Sequence, residues 1–166
     1  MTHDEKQAIL YKEIDLIQSC INRMAQNSFM IKGWLIALLA VILALLPEKF
    51  DLNILCIVSL VLIVCLWYLD AFFLKMERLY RWKYNWVIKN RLSLDEVSDQ
   101  FVFDLNPHNS KMWLKNINDD GQSITPLKEP TLLRIMFTKT LILLYGVLAL
   151  MVIFISLFNL LLNYII

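Results

Sequence analysis

The chain has 166 residues, of which 58% are hydrophobic, 19% are charged and only three are glycine. This composition excludes an ordinary soluble domain, because most of so much apolar surface would find no core to enter. The formal net charge of +1 is close to balanced, but the basic residues are unevenly distributed along the chain.

Residues 1–28 form a polar segment with a regular apolar seam. Thr2 followed by Glu5 predicts a capping-box start, and the segment predicts a cytoplasmic amphipathic helix that runs on into the apolar stretch after it. The seam either packs on the chain's own cytoplasmic part or joins copies in an oligomer. Acidic neighbours disfavour a helix lying on anionic lipid. The seam residues, spaced by four and three, are Leu10, Ile14, Ile17, Ile21 and Met24.

Three apolar stretches are each close to the ~20 residues that a helix needs to cross a bilayer. They run roughly from Phe29 to Leu46, from Leu52 to Leu74 and from Leu141 to Ile166. Because Pro47–Asp51 is a short connection, residues 29–74 are predicted to form an antiparallel transmembrane hairpin. The third helix occupies residues 140–166. The predicted fold is an all-α membrane protein with three transmembrane helices and long cytoplasmic helical extensions.

A stripe of small residues lies along the first span, and such stripes let helices approach closely in lipid. We expect it to pack the first two helices together. Its members are Gly33, Ala37, Ala40 and Ala44.

The distribution of positive charge predicts the orientation. Of the sixteen Lys and Arg residues, only Lys49 lies between the first two spans. By the positive-inside rule, the N-terminus and the segment from Lys75 to Lys139 are cytoplasmic, and the C-terminus is periplasmic if the membrane is the bacterial inner membrane.

Residues 75–139 divide into a helix and a small irregular segment. The second apolar helix has no stop at the inner surface and is predicted to continue to about Asn90. Beyond it, weak alternation in Gln100–Leu105 and Lys111–Ile117 predicts short strands. This small, β-containing segment is too short for its own core and should dock on the long helices or on a neighbouring subunit as a sensing segment.

Asp70 is the most costly residue of the predicted spans, because an unpaired carboxylate there costs about 2.5 to 3.5 kcal/mol. Folding the hairpin brings Lys32 close to it, which predicts a Lys32–Asp70 ion pair with Asn27 and Ser28 nearby. The pair either only locks the hairpin or belongs to an inner gate or an ion-binding vestibule.

The third span carries a polar stripe at spacings of three and four. Its side chains either join helices by interhelical hydrogen bonds or line a water pathway. Such a pathway would lie between several copies, because three spans are too few to enclose a pore. The stripe contains Tyr145, Ser156, Asn159 and Asn163.

Lys and Arg residues alternate with aromatic residues just after the second span. This pattern is typical of residues at lipid headgroups, and it also suits nucleic-acid binding, in which cations neutralise phosphates and rings stack on bases. The ligand-sensing candidates are Lys75, Arg78, Arg81, Trp82, Lys83 and Trp86.

Nothing in the sequence predicts an enzyme. There is no HExxH, GxSxG, P-loop or GxGxxG motif, and neither His3 nor His108 has a partner at motif spacing. We therefore expect no catalytic residue, no cofactor and no metal site.

Two stretches carry a resemblance to a known group of proteins. Ile21–Phe29 leading into Lys32-Gly33-Trp34, and Trp67–Asp70 leading into Glu77–Arg81, resemble the small membrane effectors of bacterial anti-phage defence. The general plan is similar to SLATT-type proteins and to the DNA-gated channel of the Hailong system. The third span departs from the common two-span SLATT plan.

The resemblance implies a homo-oligomeric ion channel, a tetramer by analogy, in the bacterial inner membrane. It would be gated by a DNA oligomer or nucleotide made by a partner nucleotidyltransferase, and it would depolarise the infected cell. The alternative is a non-conducting membrane scaffold that recruits a cytoplasmic partner through the N-terminal seam.

Overall fold

The computed structural model describes residues 3–44, 51–92, 101–109 and 129–165, the last four of these by their backbone alone. The described residues are mostly helical and contain no strand. Thr2 and Pro47, from which the first helix start and the hairpin turn were predicted, lie outside them.

Helix α1 (His3–Ala44) is a single helix of 42 residues. Asp4 and Glu5 stand in its first turn, where carboxylates favour the positive end of the helix dipole. At ~1.5 Å per residue the helix is far longer than the ~30 Å hydrocarbon core of a bilayer. The prediction of one uninterrupted helix is confirmed.

Helix α2 (Leu52–Asn90) has 39 residues and continues well past the second apolar stretch, as predicted. The Asp51 carboxylate caps its start by accepting a hydrogen bond from the backbone N–H of Asn53 at 3.0 Å.

The third apolar segment is broken into pieces. A short helix α3 (Leu132–Met136) is followed by α4 (Lys139–Leu141), a π-helical turn (Ile142–Gly146) and α5 (Val147–Ile165). The sequence did not reveal the π turn, which contains Tyr145.

Three of the described helices are long and apolar enough to cross a membrane: His3–Ala44, Leu52–Asn90 and Lys139–Leu161. Most side chains in the apolar part of each of these helices are not buried inside the chain. Apolar surface of that extent requires apolar surroundings, so the structure supports a membrane protein.

The chain divides into two compact units. The first consists of Met1–Ala25 and Leu74–Pro130, and the second of Gln26–Phe73 and Thr131–Ile166.

In the first unit the N-terminal seam packs on α2. Ile17 and Ile21 are buried in one cluster with Val87 and Trp86 of α2, and Ile14 and Met24 pack against it. The seam therefore packs on the chain's own residues, the first of the two predicted alternatives. Glu13 contacts Arg91 while Cys20 lies beside Tyr80, so α1 and α2 run antiparallel here.

In the second unit the small-residue stripe does not pack the hairpin. Ile31 and Leu35 are buried in α1, whereas Gly33 is exposed, with nothing within 4 Å of the position its Cβ would take. A helix turns by about 100° per residue, which puts the stripe on the side of α1 opposite Ile31 and Leu35. The large aliphatic side chains fill the space between helices, and the prediction for the stripe is wrong.

The alternation read as a strand in Gln100–Leu105 is also wrong over the residues described. Phe101–Phe103 form a turn, and Phe101 and Phe103 have φ angles of 58° and 56° in the left-handed region. Lys111–Ile117, the second predicted strand, lies outside the described residues.

Candidate functional site

The second unit contains a buried ion pair at the position predicted from the sequence. Asp70 is fully buried, and its Oδ2 lies 2.7 Å from Lys32 Nζ. Its Oδ1 accepts a hydrogen bond from the Ser28 hydroxyl. The Tyr145 hydroxyl donates a hydrogen bond to Oδ2 at 3.0 Å. We call these four residues the Asp70 cluster.

Helical spacing explains the α1 half of this cluster. Ser28 and Lys32 are four residues apart and therefore lie on one face of the helix. Lys32 Nζ donates to Ser28 Oγ at 2.8 Å and to the Ser28 carbonyl at 3.2 Å. A carboxylate that accepts several charge-assisted bonds loses little by leaving water, which makes this burial tolerable in an apolar segment.

Tyr145 was grouped with the polar stripe of the third span, but the structure separates it from the other members. Tyr145 is fully buried at Asp70, while Ser156 is half-buried further along α5. Asn159 Nδ2 donates to Asn53 Oδ1 over a long 3.4 Å. The side chain of Asn163 lies outside the described residues. The stripe is therefore not one site.

Sequence reasoning missed Trp67. Its indole N–H donates to the Met136 carbonyl oxygen at 2.9 Å, and its ring stacks on the Tyr145 ring with centroids 5.9 Å apart. Trp67 stands three residues before Asp70, on the same face of α2. That spacing from the one carboxylate of the span was the available signal.

The first unit holds a second buried ion pair that the sequence reasoning missed. Glu13 accepts hydrogen bonds from Arg91 Nε at 2.6 Å and from the backbone N–H of Phe103 at 2.8 Å. Glu13 occupies a position between Leu10 and Ile17 on the buried face of α1. A carboxylate placed in an apolar seam was the signal, because it needs a partner there.

The ligand-sensing candidates do not form one exposed surface. Trp86 is buried in the apolar cluster, and Trp82 packs against that cluster. Lys83 is buried and donates to the Asn106 carbonyl at 3.0 Å. Some of the alternating basic and aromatic residues therefore lie on the packed face of α2, and the others lie on its surface face.

Of the remaining candidates, Arg81 is the most exposed. Its guanidinium pairs with Glu77 at 2.7 Å and stands at the edge of a polar groove between α1 and α2. Arg78 is half-buried on the same helix. The groove is lined by Gln18, Ile21, Asn22, Ala25, Arg81, Tyr84 and Asn85.

Lys75 has a structural partner in the first unit. Its Nζ lies 2.6 Å from Glu129, whose carboxylate also contacts His108 Nδ1 at 3.2 Å. The hydrogen bond from Lys75 lowers the pKa of Glu129 below its usual value against the opposing effect of burial. This contact ties the segment before α3 to α2.

Asp104 lies beside Lys83 in the 101–109 turn. Burial alone would raise the pKa of this carboxyl group, but hydrogen bonds from the Asn109 side chain and the Asn106 backbone N–H outweigh it and lower the pKa. Asp104 is therefore ionised and holds the turn by accepting hydrogen bonds.

The charged clusters of both units are built from ion pairs and hydrogen bonds. Among residues 3–44, 51–92, 101–109 and 129–165, no group of three or more His, Cys, Asp or Glu side chains is placed to hold a metal ion.

Comparison with protein-family models, with curated proteins and with solved structures finds no match for the chain.

Proposed function

We propose that this protein is a homo-oligomeric ion channel of the bacterial inner membrane, an effector of anti-phage defence that a nucleotide or nucleic-acid signal gates. Opening depolarises the infected cell. The signal is the product of a partner nucleotidyltransferase. The N-terminus is cytoplasmic and the C-terminus periplasmic.

The observation that carries the proposal is the Asp70 cluster. Ionisable groups within membrane segments are costly and rare, and they commonly mark ion pathways or gates. A pair that served only to hold two helices together would be replaceable by apolar packing of similar volume at little cost. Lys32 and Asp70 are accordingly assigned to the gate, with Tyr145 as the contact from the third segment.

One subunit is too small to enclose a pathway, so conduction requires several copies. Three membrane helices leave no room for an enclosed water path inside one chain. Half-buried polar side chains of α5, Ser156 and Asn159, are assigned to line the path between copies. For Asn163, whose side chain lies outside the described residues, this role stays a prediction from the sequence.

The ligand is assigned to the polar groove at Arg81. Guanidinium groups bind phosphate, amide side chains such as Asn22 and Asn85 hydrogen-bond with base edges, and the Tyr84 ring offers a stacking face. Of the candidates predicted from the sequence, Arg78 and Arg81 keep this role. Lys83 and Trp86 lose it because they are buried.

The defence setting is supported by the resemblance of the Ile21–Trp34 and Trp67–Arg81 stretches to membrane effectors. The scaffold alternative loses its main support, since the seam through which it would recruit a partner packs on α2.

The test is ion flux from liposomes that contain the purified, correctly inserted protein. Short DNA oligomers and cyclic or linear oligonucleotides are added at two salt concentrations. We expect one nucleic-acid species to change the flux, more weakly at high salt because phosphate contacts are screened. Absence of flux under every condition contradicts the channel and favours the scaffold.

Two variants locate the gate and the ligand site. Asp70→Asn is expected to change the flux measured without ligand, whereas Asp15→Asn, at an exposed position of α1, leaves it unchanged. Arg81→Gln is expected to remove the response to the nucleic acid while basal flux persists, with Lys12→Gln as the control. An Asp70→Asn protein that conducts and responds normally removes Asp70 from the gate.

A further inference from the structure

The third apolar segment has two irregular points. The first is the break between α3 and α4 at Phe137 and Thr138, and the second is the π turn Ile142–Gly146. A π turn accommodates one residue more than an α-helical turn and occurs frequently at functional sites. The helix therefore contains one more residue at this turn than a regular α-helix would.

One turn of α2 contacts both irregular points. Trp67 donates its indole N–H to the carbonyl oxygen of Met136, at the end of α3. The same indole ring stacks on Tyr145 in the π turn, with the two ring planes 2° apart. Three residues later, Asp70 accepts a hydrogen bond from the Tyr145 hydroxyl. We call Trp67 and Asp70 the α2 clamp.

The clamp has an electrostatic side and an apolar side. Asp70 Oδ2 accepts from both Lys32 and Tyr145, so the Tyr145 hydrogen bond is charge-assisted and depends on the state of the ion pair. The Trp67 ring covers Tyr145, which is fully buried, and keeps water from competing for the hydroxyl. A change at Asp70 is therefore transmitted to the backbone of the third segment through one side chain.

We propose that the α2 clamp holds the π turn in place, and that releasing Tyr145 from Asp70 lets this turn relax to α geometry. At ~100° per residue, absorbing the extra residue rotates α5 about its axis by roughly 100°. The rotation turns Ser156 and Asn159 to a new direction. This inference rests on the proposed function, because it assigns the moving part of the same gate.

A specific contact is expected to change. Asn159 faces Asn53 at the start of α2 in the clamped state. When the turn relaxes, every residue of α5 advances by one position around the helix, so Phe158 takes the place of Asn159. Cross-linking to position 53 can therefore measure the rotation without any measurement of conduction.

The experiment uses the full-length protein in liposomes with Cys20, Cys56 and Cys65 replaced by alanine. Asn53→Cys is combined with either Phe158→Cys or Asn159→Cys and treated with a short bifunctional thiol reagent. We expect the cross-link at position 159 when the clamp is intact and at position 158 after Tyr145→Phe. Trp67→Phe, which keeps a ring but lacks the N–H, is expected to shift it in the same direction.

Tyr68→Phe is the matched control, because it removes a hydroxyl from an exposed residue of the same turn. Its cross-link is expected to stay at position 159. The inference is overturned when the cross-link stays at position 159 in both Tyr145→Phe and Trp67→Phe, or when it disappears from both positions. A shift without ion flux supports the clamp and contradicts the channel, whereas flux without a shift does the opposite.

Discussion

At the scale of single residues, two buried ion pairs stand out. Asp70 pairs with Lys32 in the second unit, and Glu13 pairs with Arg91 in the first. Such pairs contribute little net stability, but removing one partner leaves an uncompensated buried charge and costs about 3 to 5 kcal/mol. Each pair therefore determines which residues of its helices face each other and contributes little to the net stability of their packing.

The first prediction concerns the Lys32–Asp70 pair. Lys32→Met is expected to lower the free energy of unfolding by about 3 to 5 kcal/mol, because Asp70 is fully buried and loses its counter-charge. Lys32→Met combined with Asp70→Asn is expected to recover most of that loss, since a neutral amide can still bond with Ser28 and Tyr145. Unfolding by titration with a denaturing detergent, followed by circular dichroism, measures both.

Lys12→Met, at an exposed position of the same helix, provides the control and is expected to change stability by less than about 0.5 kcal/mol. A double variant no more stable than Lys32→Met would contradict the electrostatic explanation.

A second prediction follows from the lowered pKa of Glu129, whose ordinary value is 4.5. The ionised form is favoured in the folded state, so the contribution of Glu129 is fully present above its unfolded pKa and is lost as the pH falls through its folded pKa. The melting temperature of the wild type is thus expected to exceed that of Glu129→Gln at pH 7, and the difference should vanish well below pH 4.5. A difference independent of pH would show that the carboxylate charge is not responsible.

At the scale of elements, the long helices followed from the sequence because their apolar runs and polar faces are local properties. The π turn did not, since Ile142–Gly146 continues the apolar run and its one poor helix former, Gly146, does not specify a π turn. Its geometry depends on where Trp67 and Asp70 hold Tyr145. The 101–109 turn escaped prediction for a similar reason, because the Phe103 N–H bonds with Glu13, far away in the chain.

The third prediction tests that turn. Phe103 has a φ of 56°, a conformation that costs a residue with a Cβ about 1 to 2 kcal/mol, and its side chain is exposed. Asn tolerates this region, whereas a β-branched residue does not. Phe103→Asn is expected to match or exceed the wild type in thermal stability, and Phe103→Val to fall below it. The reverse order would mean that the phenyl ring, not the backbone, decides stability here.

At the scale of the whole molecule, the proposed channel needs contacts between copies. Three apolar helices with few side chains buried inside the chain meet either lipid or another subunit. The small-residue stripe faces away from the packed side of α1, so it is available for close helix approach between subunits.

The fourth prediction tests whether copies meet along this stripe. Gly33→Leu is expected to reduce the mass of the detergent-solubilised oligomer, because a large side chain prevents close approach. Gly33→Ala is expected to preserve it, and Val64→Phe, which adds bulk to an exposed position of α2, serves as the control. Sedimentation velocity distinguishes the masses. An unchanged mass for Gly33→Leu would place the subunit contact elsewhere.

The sequence by itself determined the membrane character, the lengths of α1 and α2 and the pairing of Lys32 with Asp70. These depend on apolar run length, helical periodicity and the high cost of a lone charge in lipid, all of which can be read along the chain. Only the tertiary structure decided that Tyr145 joins Asp70, that Glu13 holds Arg91 and that Lys83 and Trp86 are buried. The reason is that these contacts join residues far apart in the chain, and local pattern cannot tell which face of a helix meets which partner.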